Sequence, residues 1–323
     1  MNKHPDHIVD HILELREQGY SSRKIAKKVF GRASAKSTVN DILKRVGTPA
    51  NKDVGEKSHT GAKLLFLDVE NQGTVALTHG RFKTNISPKG VISEPYLLSY
   101  AGNWAHESEE DVFCRGLQDF SIFEEGDFRN DILLVEELWE LLDECDILIA
   151  HNSGFDEGVI NSRFAYHGMV PPSPYKVVCT LKSLKKYFKL PANSLDASTR
   201  FFGLERKLDN AGIELWLRCY YGEEDAFEEM CEYNRGDIPT LRQLYYKILP
   251  FIKNHPNLSL YDDKKGLCGQ CGIGKMELLE GKTFPTNLSK FDTYRCDHCG
   301  AIKRSRKNVR TKDEMESTLM NIS

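Results

Sequence analysis

The run Leu64 to Gly73, LLFLDVENQG, constrains the fold of this chain more than any other stretch. Leu64, Leu65, Phe66 and Leu67 are apolar without interruption, which suits a central strand covered on both faces. The run ends on Asp68 and Glu70, which at i and i+2 point to one face of a strand, about 7 Å apart along the chain. Two anions that close repel unless a cation lies between them. The pair is therefore either a solvated strand end or part of a metal site, and the rest of the chain has to decide.

The stretches TVALTHGRF and GVISEPYLLSYAGNW read as further strands, LVEELWELLDEC has helical spacing, and DILIAHN is another buried strand. Helical patterns continue to Pro250, so the expected fold class is α/β, a mixed sheet with helices on its faces. A length of 323 residues suits two or three domains, and 40% apolar with 28% charged residues is the composition of a globular protein with a sizeable core. No apolar run approaches membrane-spanning length and the opening MNKHPDHIVD does not resemble a signal peptide, so no membrane partner and a cytoplasmic location are expected.

The net charge of −3 is unevenly spread. Residues 1–50 carry ten Lys and Arg against five Asp and Glu, and KRSRKNVRTK, residues 303–312, has six basic residues and no acid. Of nine cysteines, Cys114, Cys145, Cys179, Cys219 and Cys231 are scattered singly, while the other four form two Cys-x-x-Cys pairs. That is metal spacing in a reducing compartment, not a disulfide framework.

Residues 6–46 read as three short helices, marked by Ile8, Ile12 and Leu15, then Ile25 and Val29, then Val39, Ile42 and Leu43. With a basic third helix, residues 1–47 resemble a helix-turn-helix of the recombinase kind, although a small helical protein-interaction domain has the same pattern. The resemblance would present Lys36, Ser37, Thr38, Asn40 and Lys44 to a DNA major groove. Residues 48–62 read as a flexible linker, rich in Gly, Pro, Ser and charge. The tail, residues 312–323, is expected to be frayed.

Two further segments bear on the carboxylate pair. In LIAHNSGFDEGVINSRF a buried strand is expected to end at Asn152, followed by a Ser-Gly turn, with Asp156 at the start of a helix whose dipole stabilises an anion. In EEMCEYNRGDIPTL a long helix puts Tyr233 and Asp237 at i and i+4 on one face. Taken together, Asp68 and Glu70, the HNSGFD ending at Asp156, and Tyr233-x-x-x-Asp237 resemble the three motifs of the DEDD superfamily of 3′→5′ exonucleases, tyrosine subclass. Asp156 follows Asp68 by 88 residues and Asp237 follows Asp156 by 81, spacings that suit one domain. SLDASTRFFGLERK, residues 194–207, is similar to the helix between the second and third motifs of that family. The resemblance spans residues 63–254 and implies a ribonuclease H-like fold. One departure is Asn71, where the family commonly has threonine; asparagine can still hydrogen-bond a phosphate or terminal nucleotide.

The resemblance implies a two-metal site for phosphodiester hydrolysis, holding two Mg²⁺ or Mn²⁺ ions selected by hard oxygen ligands. Asp68 would bridge both ions, Glu70 and Asp237 would hold the one that activates water, and Asp156 would hold the other through water. Tyr233 would orient the attacking water. Phe155 is expected to pack beneath the site, and Asn152 to fix the turn or touch substrate.

CGQCG and CDHCG place Cys268, Cys271, Cys296 and Cys299 as C-x2-C, a 24-residue gap, and C-x2-C. The arrangement, residues 260–311, resembles a zinc ribbon in which Gly272 and Gly300 let the backbone turn around one structural Zn²⁺ and His298 stays at the surface. Lys303, Arg304 and Arg306 in the adjoining basic strip are expected to contact phosphates without reading sequence. The expected activity is a metal-dependent exonuclease on DNA serving a separate polymerase or replication protein of a phage or mobile element. A 3′→5′ exoribonuclease and a DNA-binding regulator with an inactive nuclease fold are the alternatives.

Overall fold

The computed structural model describes residues 6–17, 22–31, 38–39, 42, 61–80, 82, 84–204, 212–262 and 266–319. The chain divides into two compact units, Met1–His59 and Thr60–Ser323. In the first, α1 (Asp6–Glu17) and α2 (Ser22–Phe30) bury Val9, Ile12, Leu15, Ile25 and Ala26 in one core with Val39 and Ile42. Thr38, Val39 and Ile42 are helical, in keeping with a third helix there. Of the side chains assigned to a DNA groove, Thr38 is half-buried, while Lys36, Ser37, Asn40 and Lys44 lie outside the described residues, as do residues 48–60 of the expected linker. The linker's last expected residues belong to the second unit: Ala62 is buried, and the amide of Lys63 donates to the Asp146 carboxylate at 2.7 Å.

The second unit is α/β around a mixed five-stranded sheet. Its strands are β1 (Leu64–Gln72), β4 (Tyr96–Trp104), β5 (Phe113–Gly116), β6 (Ile147–Ala150) and β7 (Lys176–Cys179), in the order β5-β4-β1-β6-β7. β4 is antiparallel to both neighbours, while β1, β6 and β7 are mutually parallel, an arrangement compatible with a ribonuclease H-like fold. β2 (Val75–Ala76) and β3 (Val91–Ser93) pair only with each other. The long strand expected over TVALTHGRF is thus limited to two residues. Leu77 and Phe82, 70% and 89% exposed, have no core to face.

Both faces of β1 are covered, as its apolar run requires. Leu65, Leu67 and Val69 meet Leu134, Val135, Leu138 and Leu142 of α4 (Ile132–Glu144), which follows the short α3 (Ser121–Glu124). Leu64 and Phe66 pack with Ile238, Leu241, Leu244, Tyr245 and Ile248, carried by a later helix of residues 224–248. In the chain, α5 (Ser153–Tyr166), α6 (Thr180–Tyr187), α7 (Leu195–Phe202) and α8 (Ile213–Tyr221) follow α4 and precede that long helix, α9 (Glu224–Ile248). Among the described residues no helix is long and apolar enough to cross a membrane.

The C-terminal sheet of β8 (Met276–Pro285), β9 (Lys290–Cys296) and β10 (Ile302–Asn308) is antiparallel and docks on the end of α9. Gln270, 1% exposed, donates its amide to the carbonyls of Leu249 and Ile252 at 2.7 Å each and accepts from the Lys303 ammonium. Beside it the Tyr245 hydroxyl meets His255 Nε2 at 2.8 Å, and burial, with Lys303 nearby, pushes His255 down to about 4. The imidazole is therefore neutral at pH 7. The tail differs from its expected fraying: α10 (Lys312–Glu316) is closed by a capping box of Thr311 and Glu314, and Arg310 bonds the Thr318 hydroxyl at 2.6 Å.

Gln270→Ala removes one donor from each of the Leu249 and Ile252 carbonyls, which keep backbone donors at 3.1 and 3.3 Å, and takes the acceptor from the Lys303 ammonium. It should cost about 1–2 kcal/mol in urea unfolding, with an unchanged m-value.

Candidate functional site

The parallel strands β1 and β6 point their carboxyl ends the same way, and the chain leaves them in opposite directions across the sheet. Ligands of open α/β sheets bind in the crevice at such a switch point. The last paired residues are Phe66 and Ile149, so Asp68 and Glu70 emerge where β6 has run out of ladder. On the other side Glu70 lies opposite Ser99 of β4, and the register shifts between Glu70 and Asn71. Such bulges re-aim side chains at the rims of sheets.

Helix α9 crosses this strand end. Asn234, fully buried, donates to the Ser99 hydroxyl at 3.0 Å, which pins the helix to β4 directly opposite Glu70. Three residues further on, Asp237 reaches the same place: one carboxylate oxygen from each of Asp68, Glu70 and Asp237 lies within 4.8 Å of the others. Asp237 is buried and the other two are half-buried, so water screens their repulsion only in part. The cluster suits a divalent cation with oxygen ligands.

Asp156 stands outside that trio. It lies in the first turn of α5, as expected, and is 5% exposed. The preceding segment differs from expectation: β6 ends at Ala150, and Ser153 and Gly154 already belong to the helix. Asn152 makes the turn by itself, with φ of 67°, the only described non-glycine residue with positive φ. Asparagine tolerates this left-handed conformation better than most residues. Burial pushes the Asp156 carboxyl up to about 7, and its Oδ2 accepts no hydrogen bond. A buried carboxylate oxygen with no donor fits a site that a cation completes.

Phe155 corrects an expectation. It is 53% exposed on the first turn of α5 and does not pack beneath the site, because Phe164 and Ile160 already fill the inner face of that helix. Asn71 is half-buried and uses its side-chain amide on the neighbouring Gln72 carbonyl at 3.2 Å. Tyr233 is half-buried, its ring edge against the Trp216 indole at 6.2 Å and 74°. Trp216 had no signal in the sequence: its indole N–H donates to the Asn71 carbonyl at 3.1 Å, across 145 residues.

In the C-terminal sheet the four cysteine sulfurs converge, with Cys268 to Cys299 at 3.9 Å and Cys271 to Cys296 at 3.7 Å. Tetrahedral zinc with bonds of about 2.3 Å needs sulfurs about 3.8 Å apart, so the four fit it without rearrangement. Amides of Gln270, Gly274 and Cys299 donate to Cys268, Cys271 and Cys296 sulfurs at 3.3, 3.4 and 3.4 Å. Gly272 and Gly300 both take φ of 76°, the conformation a side chain would resist. His298 is exposed, outside the sulfur cluster.

The basic strip divides. Arg304 and Arg306 are exposed, with Arg304 over the Phe291 ring at 4.1 Å. Lys303 faces inward and is committed to Gln270, because alternate residues of β10 point to opposite sides; its expected role on a phosphate gives way to one in docking. Compared with known families, the chain matches no family model, and no curated protein matches it.

The Asp156 shift makes a signed prediction. Its folded pKa of about 7 exceeds the unfolded value near 3.8, so the metal-free fold binds the extra proton and loses stability as pH rises from about 4 to 7. At about 1.4 kcal/mol per unit the loss is a few kcal/mol. Unfolding with chelator present should show this slope, and Asp156→Asn should flatten it. Separately, atomic absorption should find one zinc per chain. Cys296→Ser should lose it and lower the melting temperature of the whole second unit, since the ribbon is docked on α9.

Proposed function

We propose that the chain is a divalent-metal-dependent 3′→5′ exonuclease acting on DNA, with DNA-binding elements on either side. One observation carries the reading: three carboxylates from a strand and a distant helix meet within 4.8 Å at the carboxyl edge of a mixed sheet. When bound, two Mg²⁺ or Mn²⁺ ions would supply the positive charge that in-line phosphodiester hydrolysis requires.

In this reading Asp68, Glu70, Asp237 and Asp156 would hold the ions, with Glu70 and Asp237 on the side of the attacking water. Asp156 must give up its proton to do so, and its raised pKa makes metal loading weaker below about pH 7. Tyr233 orients the attacking water through its hydroxyl. Phe155, exposed one residue before Asp156, offers a face on which a terminal base can stack. Arg304 and Arg306 contact backbone phosphates, and the helix-turn-helix of the first unit would select duplex. Proofreading or trimming for a separate polymerase or replication protein, in the cytoplasm of a bacterial or phage-infected cell, is the biological role that fits.

The test uses 5′-labelled single-stranded DNA and its RNA counterpart with Mg²⁺ or Mn²⁺. A ladder shortening from the 3′ end, reduced at least about 1,000-fold in Asp68→Ala, is expected. Faster RNA shortening would make the protein an exoribonuclease. No shortening of either strand, with duplex binding retained, would make it a DNA-binding regulator.

A further inference from the structure

We infer that Trp216 is a positioning residue, which fixes the Tyr233 phenol relative to the carboxylate-bearing end of β1. The role given to Tyr233 rests on the exonuclease reading above. The geometric link between the two residues does not.

Trp216 is half-buried, and an indole N–H turned away from water needs an acceptor. Trp216 finds it in the Asn71 carbonyl, immediately after Glu70 and at the point where the β1–β4 register shifts. The same indole meets the Tyr233 ring edge to face, one helical turn before Asp237 on α9. One side chain therefore spans the two elements that carry the carboxylate trio.

Helix α8, which carries Trp216, is itself held firmly. Leu215 and Cys219 are buried in the core on either side of the indole. Arg218 ties α8 to the turn and to the start of α9 through Glu223 at 3.0 Å and Asp225 and Glu229 at 2.7 Å each. These are surface ion pairs, so the main hold on α8 is the burial of Leu215 and Cys219. A tyrosine ring has two side-chain torsions, and an edge contact on one side with a fixed indole restricts both. The carboxylates have supports of their own, namely the sheet and the Asn234–Ser99 bond. Loss of Trp216 should therefore loosen the phenol while leaving the trio in place.

The experiment replaces Tyr233 by 3-fluorotyrosine and follows broadening of the fluorine signal by Mn²⁺, with Mn²⁺ affinity measured separately. Trp216→Leu should weaken the broadening at least about threefold while Mn²⁺ affinity stays within about twofold. In turnover, Trp216→Leu should lower kcat about tenfold and Trp216→Phe, which keeps the ring contact but loses the N–H, about threefold, with KM little changed. In a Tyr233→Phe background, Trp216→Leu should cost nothing further, because the hydroxyl it positions is gone. Melting temperatures of each variant separate positioning from folding, and Trp216→Phe serves if Trp216→Leu does not fold. Equal broadening with and without Trp216, or the same loss in both backgrounds, would overturn the inference. If the native protein hydrolyses nothing yet the broadening depends on Trp216, the exonuclease reading falls and the positioning stands.

Discussion

The mutual repulsion of Asp68, Glu70 and Asp237 is the constraint on which the rest of the second unit depends. Three carboxylate oxygens within 4.8 Å, one of them on a buried residue, would drive flexible segments apart. Each is instead mounted on an element that cannot yield cheaply. β1 is an inner strand, hydrogen-bonded on both sides and packed on both faces. α9 is a long helix whose apolar stripe is buried against that sheet and whose Asn234 is bonded to β4. The stability of the core holds the three carboxylates together, in an arrangement compatible with a divalent cation. Such local conflict with global stability is what a functional site looks like in a folded chain.

The same logic extends to the C-terminal sheet with its four converging cysteines, which is not a freely hinged appendage. Its second knuckle residue, Gln270, is a buried donor to the last carbonyls of the helix segment after α9, and Leu258 sits in the core beneath that helix. Each of those carbonyls already accepts from a local backbone amide, and Gln270 adds a second donor that ties the two parts together. The four-cysteine sheet and the carboxylate-bearing helix thus share a boundary. This gives the exposed Arg304 and Arg306 a defined place on the second unit.

Much of this was legible from residues alone. The unbroken apolar run before Asp68 required a strand covered on both sides, the two Cys-x-x-Cys pairs required a tetrahedral sulfur site, and the i, i+4 pair of Tyr233 and Asp237 required one helix face. Other readings went astray where local pattern and tertiary context disagree. TVALTHGRF alternates like a strand, yet it has no core to face. Phe155 looks like a packing residue, yet its helix already has an inner face filled by others. Lys303 sits in a run of charge, yet strand alternation turns it inward onto Gln270, and a capping box orders a tail that composition suggested would fray.

The sequence by itself determined which chemistries this protein can support, because ligand type is a property of residue identity and short spacings are enforced by helix and strand geometry. It offered Asp68, Glu70, Asp156 and Asp237 as one set, through a family resemblance, and the four sulfurs as another; that three of the carboxylates meet while Asp156 stands apart came from the structure. Only the tertiary structure decided how these groups are held: Trp216 bridging Asn71 and Tyr233 across 145 residues, Asn234 reaching Ser99, and Gln270 closing the end of α9. Those contacts join residues far apart in the chain, and nothing in local propensity or periodicity carries information about which distant backbone a side chain will meet. That pairing is set when the sheet and helices pack, by which polar groups are buried together and must satisfy one another.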